Sequence, residues 1–109
     1  ENCVFIENNR HANFESRALS VRAKGTYKIT RNTFFNNCSD AINININAYT
    51  GTQKPEVSYN NVCNAGLFNS DVSGLYMPIR SQKYLEVHHN WFHNVKGNAV
   101  AARGERGHR

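Results

Sequence analysis

The chain has 109 residues, with 13 Lys and Arg against 8 Asp and Glu, and a formal charge of +5 at pH 7. This length predicts one domain that spans residues 1–109. A hydrophobic share of 39% with 19% charged residues excludes a disordered tail, and the lack of any run of about 18 apolar residues predicts no transmembrane helix and no membrane partner.

Asparagine sets the pattern of this sequence. The chain contains 17 asparagines, which are unfavourable inside helices and therefore argue against a helix-rich fold. In chain order, three segments share the pattern apolar-x-x-Asn-x-apolar-x-Asn, at residues 29–36, 57–64 and 87–94. The chain start fits the second half of the pattern. The predicted asparagine column, with intervals of 30, 28 and 30 residues, is Asn2/Asn32/Asn60/Asn90. Two positions later comes a predicted apolar column, Val4/Phe34/Val62/Phe92.

A second short strand is predicted after each of these segments, at residues 18–21, 41–44, 74–77 and 99–102. These strands alternate with period two, so one side of each faces the core and the other faces outward. The predicted core pairs are Leu19/Val21, Ile42/Ile44, Leu75/Met77 and Val100/Ala102.

Short strands that recur about every 30 residues indicate a parallel solenoid, because no unit buries its apolar face alone and stacked units share one core. The repeated asparagine fits this fold, since its amide can bond to the same residue one unit above or below. An antiparallel sandwich of short strands is the alternative, but it predicts no fixed asparagine column.

The sequence resembles a known superfamily at this point. Residues 32–36 with 41–44, and residues 90–94 with 99–100, are similar to coils of the right-handed parallel β-helix, the pectate-lyase-like superfamily. The resemblance implies a right-handed solenoid of about four coils of 28–30 residues, and a secreted protein. Superfamily members are commonly polysaccharide lyases or hydrolases, whereas others are tailspikes, adhesins or epimerases.

Neither end of the chain resembles the cap that a solenoid needs. We therefore expect a fragment of a longer β-helix, or a chain whose ends are covered by other subunits.

The outward side of the second strand is the predicted substrate face, because solenoids bind extended polymers along a sheet or between loops. An aromatic ring can stack on a pyranose, amides can bond hydroxyl groups, and guanidinium groups can bind carboxylates. An ordinary solvated strand face is the alternative. The predicted substrate-binding residues are Arg22, Asn43, Asn45, Tyr76, Arg80 and Arg103.

Two catalytic routes are open from the sequence. Asp71 and Asp40 precede second strands of adjacent coils, and two nearby carboxylates are what glycoside hydrolysis requires. Alternatively, Asp40 pairs with Arg17 and Asp71 caps a turn. A β-elimination instead needs a cation and a base, for which the candidates are Arg22, Lys24, Arg80, Tyr84, His88, His89 and His93.

No metal or other cofactor is predicted. The acidic residues are too dispersed for a calcium site, and His88 and His89 would point to opposite faces of an extended strand. The basic residues are scattered without a nucleic-acid motif, so no nucleic-acid partner is expected. The cysteines Cys3, Cys38 and Cys63 are odd in number, and buried free thiols are the main interpretation.

These features lead to three hypotheses about function. The first is an extracellular, carbohydrate-active β-helix that cleaves a polysaccharide by hydrolysis or β-elimination, and the expected polysaccharide is an acidic one. The alternative is a non-catalytic structural or adhesive solenoid that assembles end to end. A third is a binding module for anionic polymers, which the +5 charge suits.

Overall fold

The structure is a computed structural model that describes residues 1–8, 17–22, 26–45, 54–67, 72–78 and 85–102. These residues form eleven β-strands and no helix. Consequently, no helix in these ranges is long and apolar enough to cross a bilayer. The strands are β1 (Val4–Ile6), β2 (Arg17–Val21), β3 (Lys28–Thr30), β4 (Thr33–Asn37), β5 (Asp40–Ile44), β6 (Glu56–Ser58), β7 (Asn61–Ala65), β8 (Ser73–Met77), β9 (Glu86–His88), β10 (Trp91–His93) and β11 (Asn98–Ala102).

The strands build three sheets in which every pairing is parallel. Sheet A has the order β1-β4-β7-β10, sheet B the order β2-β5-β8-β11, and sheet C the order β3-β6-β9. The chain therefore visits sheets C, A and B in turn, and each strand pairs with its counterpart one repeat later. The predicted all-β fold with parallel strands is confirmed, and the arrangement is compatible with a parallel β-helix.

The asparagine column is confirmed in three repeats. Asn32 donates from its backbone N and from Nδ2 to Oδ1 of Asn60, both at 3.0 Å. Asn60 donates in the same way to Oδ1 of Asn90, at 3.0 and 2.9 Å. The amides of Asn60 and Asn90 also donate to the carbonyls of Ile29 and Val57 at 2.8 Å. This asparagine ladder supplies partners for polar groups at the corner between sheets C and A, where unpaired buried groups would be costly.

The first repeat departs from the predicted column by one residue. Val4 pairs with Thr33 and Phe5 with Phe34, and the backbone N of Cys3 donates to Oδ1 of Asn32 at 3.0 Å. The prediction that Asn2 and Val4 occupy the asparagine and apolar columns is therefore wrong. Instead, Phe5 stacks on Phe34 with ring centroids 4.6 Å apart.

Left-handed backbone turns flank each strand of sheet A. One file of residues at positive φ precedes the asparagine column, and a second lies at the strand's other end. L-residues adopt this conformation at some cost in free energy, so its recurrence at the same position of each repeat indicates that the turn is a regular part of the fold. The first of these turns divides each of the segments 29–36, 57–64 and 87–94 into a strand of sheet C and a strand of sheet A. The two files are Asn2/Arg31/Tyr59/His89 and Glu7/Asn36/Asn64/Asn94.

The core lies between the three sheets, and its inward faces agree with the predicted alternation in the two middle repeats, whereas Val100, also predicted as a core residue, is 42% exposed. Ile42, Ile44 and Leu75 are fully buried, and Met77 is nearly so. Little space is left at Gly74, where an added Cβ would lie 2.5 Å from Cδ1 of Phe92. A larger residue there would force the packed core apart.

None of the three cysteines forms a disulfide within the part of the chain that the structure describes. Cys38 and Cys63 are buried, as predicted, and act as small apolar residues. Cys3 is exposed, so the burial expected of all three holds for two of them.

Replacement of Asn60 by Ala should lower the free energy of unfolding by about 3 kcal/mol, because it strips partners from buried polar groups of Asn32 and Ile29. Asn61→Ala is the matched control. Its side chain is only half-buried and its one side-chain bond joins Oδ1 to Nε2 of His93, so the loss should stay below about 1 kcal/mol. Urea denaturation measures both, and equal losses would contradict a structural role for the ladder.

Candidate functional site

The predicted substrate face on sheet B is assembled only in part. Asn43 and Tyr76 lie side by side in the register, as expected, and Arg22 is exposed. However, Asn43 is only 1% exposed, and its Nδ2 has no hydrogen-bond partner among the residues the structure describes. Asn45 and Tyr76 are half-buried. Several predicted residues lie outside the described ranges, namely Lys24, Asp71, Arg80, Tyr84 and Arg103.

Asp40 is buried at the start of β5 and holds neighbouring strands together. Its Oδ1 accepts a hydrogen bond from the backbone N of Ser73 at 2.8 Å. Its Oδ2 lies 3.8 Å from Nε of Arg17, which is the ion pair that the sequence offered as the alternative to catalysis. The carboxylate thus has structural contacts to the repeats on both sides of it.

A denser group of chemically active side chains lies on sheet C, where the chain turns into sheet A. The outward positions of β3, β6 and β9 meet there with the left-handed file that precedes the asparagine ladder. A cleft of about 180 Å³ opens at this corner, lined by Glu1, Lys28, Thr30, Arg31, Glu56, Ser58 and Tyr59. Cations, carboxylates and an aromatic ring therefore share one small concave surface.

Three planar side chains stack along the corner in successive repeats. Cζ of Arg31 lies 5.9 Å from the ring centroid of Tyr59, within the range of a cation–π contact. The rings of Tyr59 and His89 stack with centroids 5.0 Å apart and planes 15° apart. We call Arg31, Tyr59 and His89 the corner file. Each has positive φ, which turns its side chain away from the sheet and onto the surface.

The two neighbouring histidines face each other. Nδ1 of His88 lies 2.8 Å from Nδ1 of His89, and the ring planes are nearly perpendicular. The expectation that these neighbours point apart assumed an extended backbone. His89 instead has φ 51°, and this left-handed turn brings the two rings together.

Glu56 connects this pair to the cleft. Its Oε1 accepts a hydrogen bond from Oγ of Ser58 and lies 3.3 Å from Nε2 of His88. Its Oε2 lies 3.4 Å from Nζ of Lys28. The Ser58 hydrogen bond, with smaller contributions from Lys28 and His88, lowers the pKa of Glu56 against the opposing effect of desolvation.

When both imidazoles are neutral, one arrangement of protons satisfies every contact in this network. His88 donates from Nε2 to the ionised Glu56, so its Nδ1 is an acceptor. His89 then donates from Nδ1 to that acceptor, and its own Nε2 carries a lone pair. The structure thus supplies an exposed imidazole whose Nε2 can take up a proton.

A second ion pair balances the like charges of adjacent repeats. Glu56 and Glu86 are register partners, and Nζ of Lys54 donates to Oε1 of Glu86 at 2.6 Å. This hydrogen bond and the charge of Glu86 raise the pKa of Lys54.

His93 belongs to a different surface, the outer face of sheet A. Its Nε2 lies 2.8 Å from Oδ1 of Asn61, and its ring stacks on Trp91 with centroids 4.4 Å apart. These contacts separate it from the His88 network.

His88 and His89 were predicted as candidates from the sequence, whereas Arg31, Tyr59 and Glu56 were not. A signal for the first two was present, since each corner residue immediately precedes a ladder asparagine. Glu56 carried no such signal, because its role depends on the parallel register of β6 with β9.

Among the described residues, no group of three or more His, Cys, Asp and Glu side chains is placed to hold a metal ion. The sequence matches no protein-family profile and no curated protein, and the structure matches no solved structure. The chemical interpretation of the corner therefore depends on its own geometry.

The Glu56 carboxyl should titrate below its ordinary value of 4.5. Ser58→Ala should bring the pKa back toward that value more than Lys28→Gln does, because the Ser58 hydrogen bond is the largest cause of the shift. A lowered pKa in the folded state adds stability above the unfolded pKa, and this stability is lost as pH falls through the lowered value. Side-chain carboxyl NMR measures the shift, and an unchanged pKa in Ser58→Ala would contradict this assignment.

Proposed function

We propose that the chain forms about four coils of a longer, secreted, right-handed parallel β-helix that cleaves an acidic polysaccharide by β-elimination at the corner between sheets C and A. The observation that carries the proposal is the corner file, with the His88–Glu56 contact behind it. It combines cations for a uronate carboxylate with a histidine able to accept a proton.

Cleavage by elimination has two chemical requirements. The sugar carboxylate must be neutralised so that the proton on the adjacent carbon can leave, and a base must take that proton. The electron pair of the broken C–H bond then forms a C=C bond as the glycosidic C–O bond breaks. The leaving oxygen takes a proton, so the products are one unsaturated and one ordinary chain end.

Arg31 and Lys28 are the cations for this reaction. Arg31 is exposed, and its NH1 lies 3.8 Å from Oε2 of the equally exposed Glu1. An exposed pair of this kind contributes little to stability. A uronate can therefore replace Glu1 at small cost and gain a charge-assisted hydrogen bond from the guanidinium group.

His89 is the base in this proposal, and its neighbours set its orientation. Tyr59 stacks against the His89 ring, and the Tyr59 hydroxyl is the proposed proton donor to the leaving oxygen. His88 and Glu56 are positioning residues, because they act through the proton on Nδ1 of His89. His88 was predicted from the sequence as a catalytic residue. In this proposal its neighbour His89 has that role, and His88 is a positioning residue.

Elimination is favoured over hydrolysis because Asp40 and Glu56 are both held by hydrogen bonds and ion pairs. Hydrolysis needs a carboxylic acid and a carboxylate that are both free to reach one glycosidic bond. Asp40 is instead held by Ser73 and Arg17, and Glu56 by Ser58, Lys28 and His88. The sheet B residues Arg22, Asn45 and Tyr76 remain a predicted sugar-binding face for other parts of the polymer.

Turnover should be detected as ultraviolet absorbance of unsaturated chain ends on a panel of polygalacturonate, alginate, hyaluronan and heparin. His89→Gln should lower kcat by about 10²–10⁴-fold, the usual effect of losing a general base. Arg31→Gln should lower kcat as well as raise KM, because it removes a cation that both binds and neutralises the reacting carboxylate.

His93→Gln is the matched control, since it changes the same residue type on another surface and should leave turnover intact. Circular dichroism melts establish that each variant is folded. Absence of unsaturated ends on every uronate polymer, or full turnover by folded His89→Gln, would refute the proposal.

A second candidate function, a non-catalytic solenoid that assembles end to end, is favoured by the last repeat. Val87 and Val100 are 38% and 42% exposed, whereas Val57 and Leu75, their inward counterparts one repeat earlier, are fully buried. Strands β9, β10 and β11 also lie at the edges of their sheets. Exposed apolar residues beside unpaired strand edges favour addition of another layer of strands, and the proposed layer is a second copy of this chain.

The assembly should depend on this end face. Light scattering after size exclusion is expected to show mass rising with protein concentration, and Val87→Lys should abolish the rise. Phe35→Lys is the matched control because Phe35, at 39% exposure, lies on the outer face of β4. A monomer at all concentrations, or equal effects of the two variants, would exclude end-to-end assembly.

A further inference from the structure

We infer that His88 and His89 form a two-imidazole chelate for a divalent transition-metal ion that prefers right-angle coordination, with copper(II) as the best match. The two Nδ1 atoms are 2.8 Å apart at an exposed corner. The inference is independent of the proposed elimination, because it depends only on the geometry of the pair.

The separation of the nitrogens, which is that of a hydrogen bond in the pair without an ion, is compatible with chelation at a right angle. With metal–nitrogen bonds of about 2.0–2.1 Å, two ligands at a right angle lie about 2.8–3.0 Å apart, and two tetrahedral ligands about 3.3–3.4 Å apart. The observed 2.8 Å fits the right angle. Square-planar and tetragonal nitrogen sites favour copper(II) or nickel(II), and copper binds more tightly in the ordinary series of divalent ions.

The remaining nitrogen of His88 has the partner that metal-binding imidazoles usually have. Its Nε2 lies 3.3 Å from Oε1 of Glu56, and a carboxylate in this position fixes the tautomer that leaves Nδ1 free to bind a metal. Ser58 and Lys28 hold the same carboxylate. Tyr59 limits rotation of the His89 ring by stacking against it.

A proton shift within His89 and a turn of the two rings toward a common point prepare the pair for the ion. Nδ1 of His89 gives up its proton while Nε2 gains one, so both Nδ1 lone pairs face the metal without a change in charge. The other coordination positions stay open to water or an anion, since the site has two protein ligands. A bound ion would therefore occupy the pair and suppress the elimination proposed for His89.

The test is titration of the full chain with copper(II), nickel(II), zinc(II) and calcium chlorides, without glycan. All variants carry Cys3→Ser, because the exposed Cys3 thiol is a competing soft ligand. Calorimetry should give one copper per chain and weaker binding of nickel and zinc. Electron paramagnetic resonance should show hyperfine splitting from two nitrogens.

His88→Gln and His89→Gln should each weaken copper binding at least tenfold and remove one nitrogen from the spectrum. Glu56→Gln should retain both nitrogens but bind about 10–100-fold more weakly, as expected for a group that orients a ligand. His93→Gln should bind as the parent does. Absence of stoichiometric copper binding, or binding unaffected by His88→Gln and His89→Gln in folded protein, would overturn the inference.

Discussion

The asparagine ladder is the constraint on which the rest of the described structure depends. At the corner between sheets C and A the backbone turns too sharply for every amide to find a strand partner. Oδ1 of Asn60 accepts two hydrogen bonds from Asn32, and its own amide reaches Asn90 and the carbonyl of Ile29. This bonding fixes the height of one repeat on the next. The apolar files of the core then fall into register, as Phe34 on Val62 demonstrates.

The same corner produces the chemical site. A residue in left-handed conformation must precede each ladder asparagine, and this turn directs its side chain outward. Stacked repeats therefore place Arg31, Tyr59 and His89 in one line. The parallel register of sheet C brings Glu56 level with Glu86 and Ser58 level with His88, which places a carboxylate beside the imidazole. Fold and site thus have a common cause in the repeat.

The sequence predicted the features that repeat locally and at fixed spacing. The ladder of Asn32, Asn60 and Asn90 and the inward side of Ile42 and Ile44 were correct, because period-two alternation and a constant interval identify them. The first repeat was placed one residue out of register, since Asn2 suits a left-handed corner as well as a ladder position. Its true role depends on the pairing of Phe5 with Phe34, which is a long-range contact.

Much of the candidate site could not be predicted from the sequence either, because it depends on backbone angles and on contacts between residues far apart in the chain. The approach of His88 to His89 depends on one backbone angle, and no residue type at that position demands it. Asn43 is likewise buried although it lies on the side of β5 that the alternation predicted to face outward.

The corner position before each ladder asparagine tolerates very different side chains. Arginine, tyrosine and histidine occur there with φ between 51° and 54°, and Asn2 occupies the equivalent corner before Cys3 with φ 56°. Because the backbone angle is set by the ladder rather than by the residue, surface chemistry can diverge from repeat to repeat while the interior stays constant. Such a scaffold allows ligand preference to evolve by single substitutions, without compensating changes in the core.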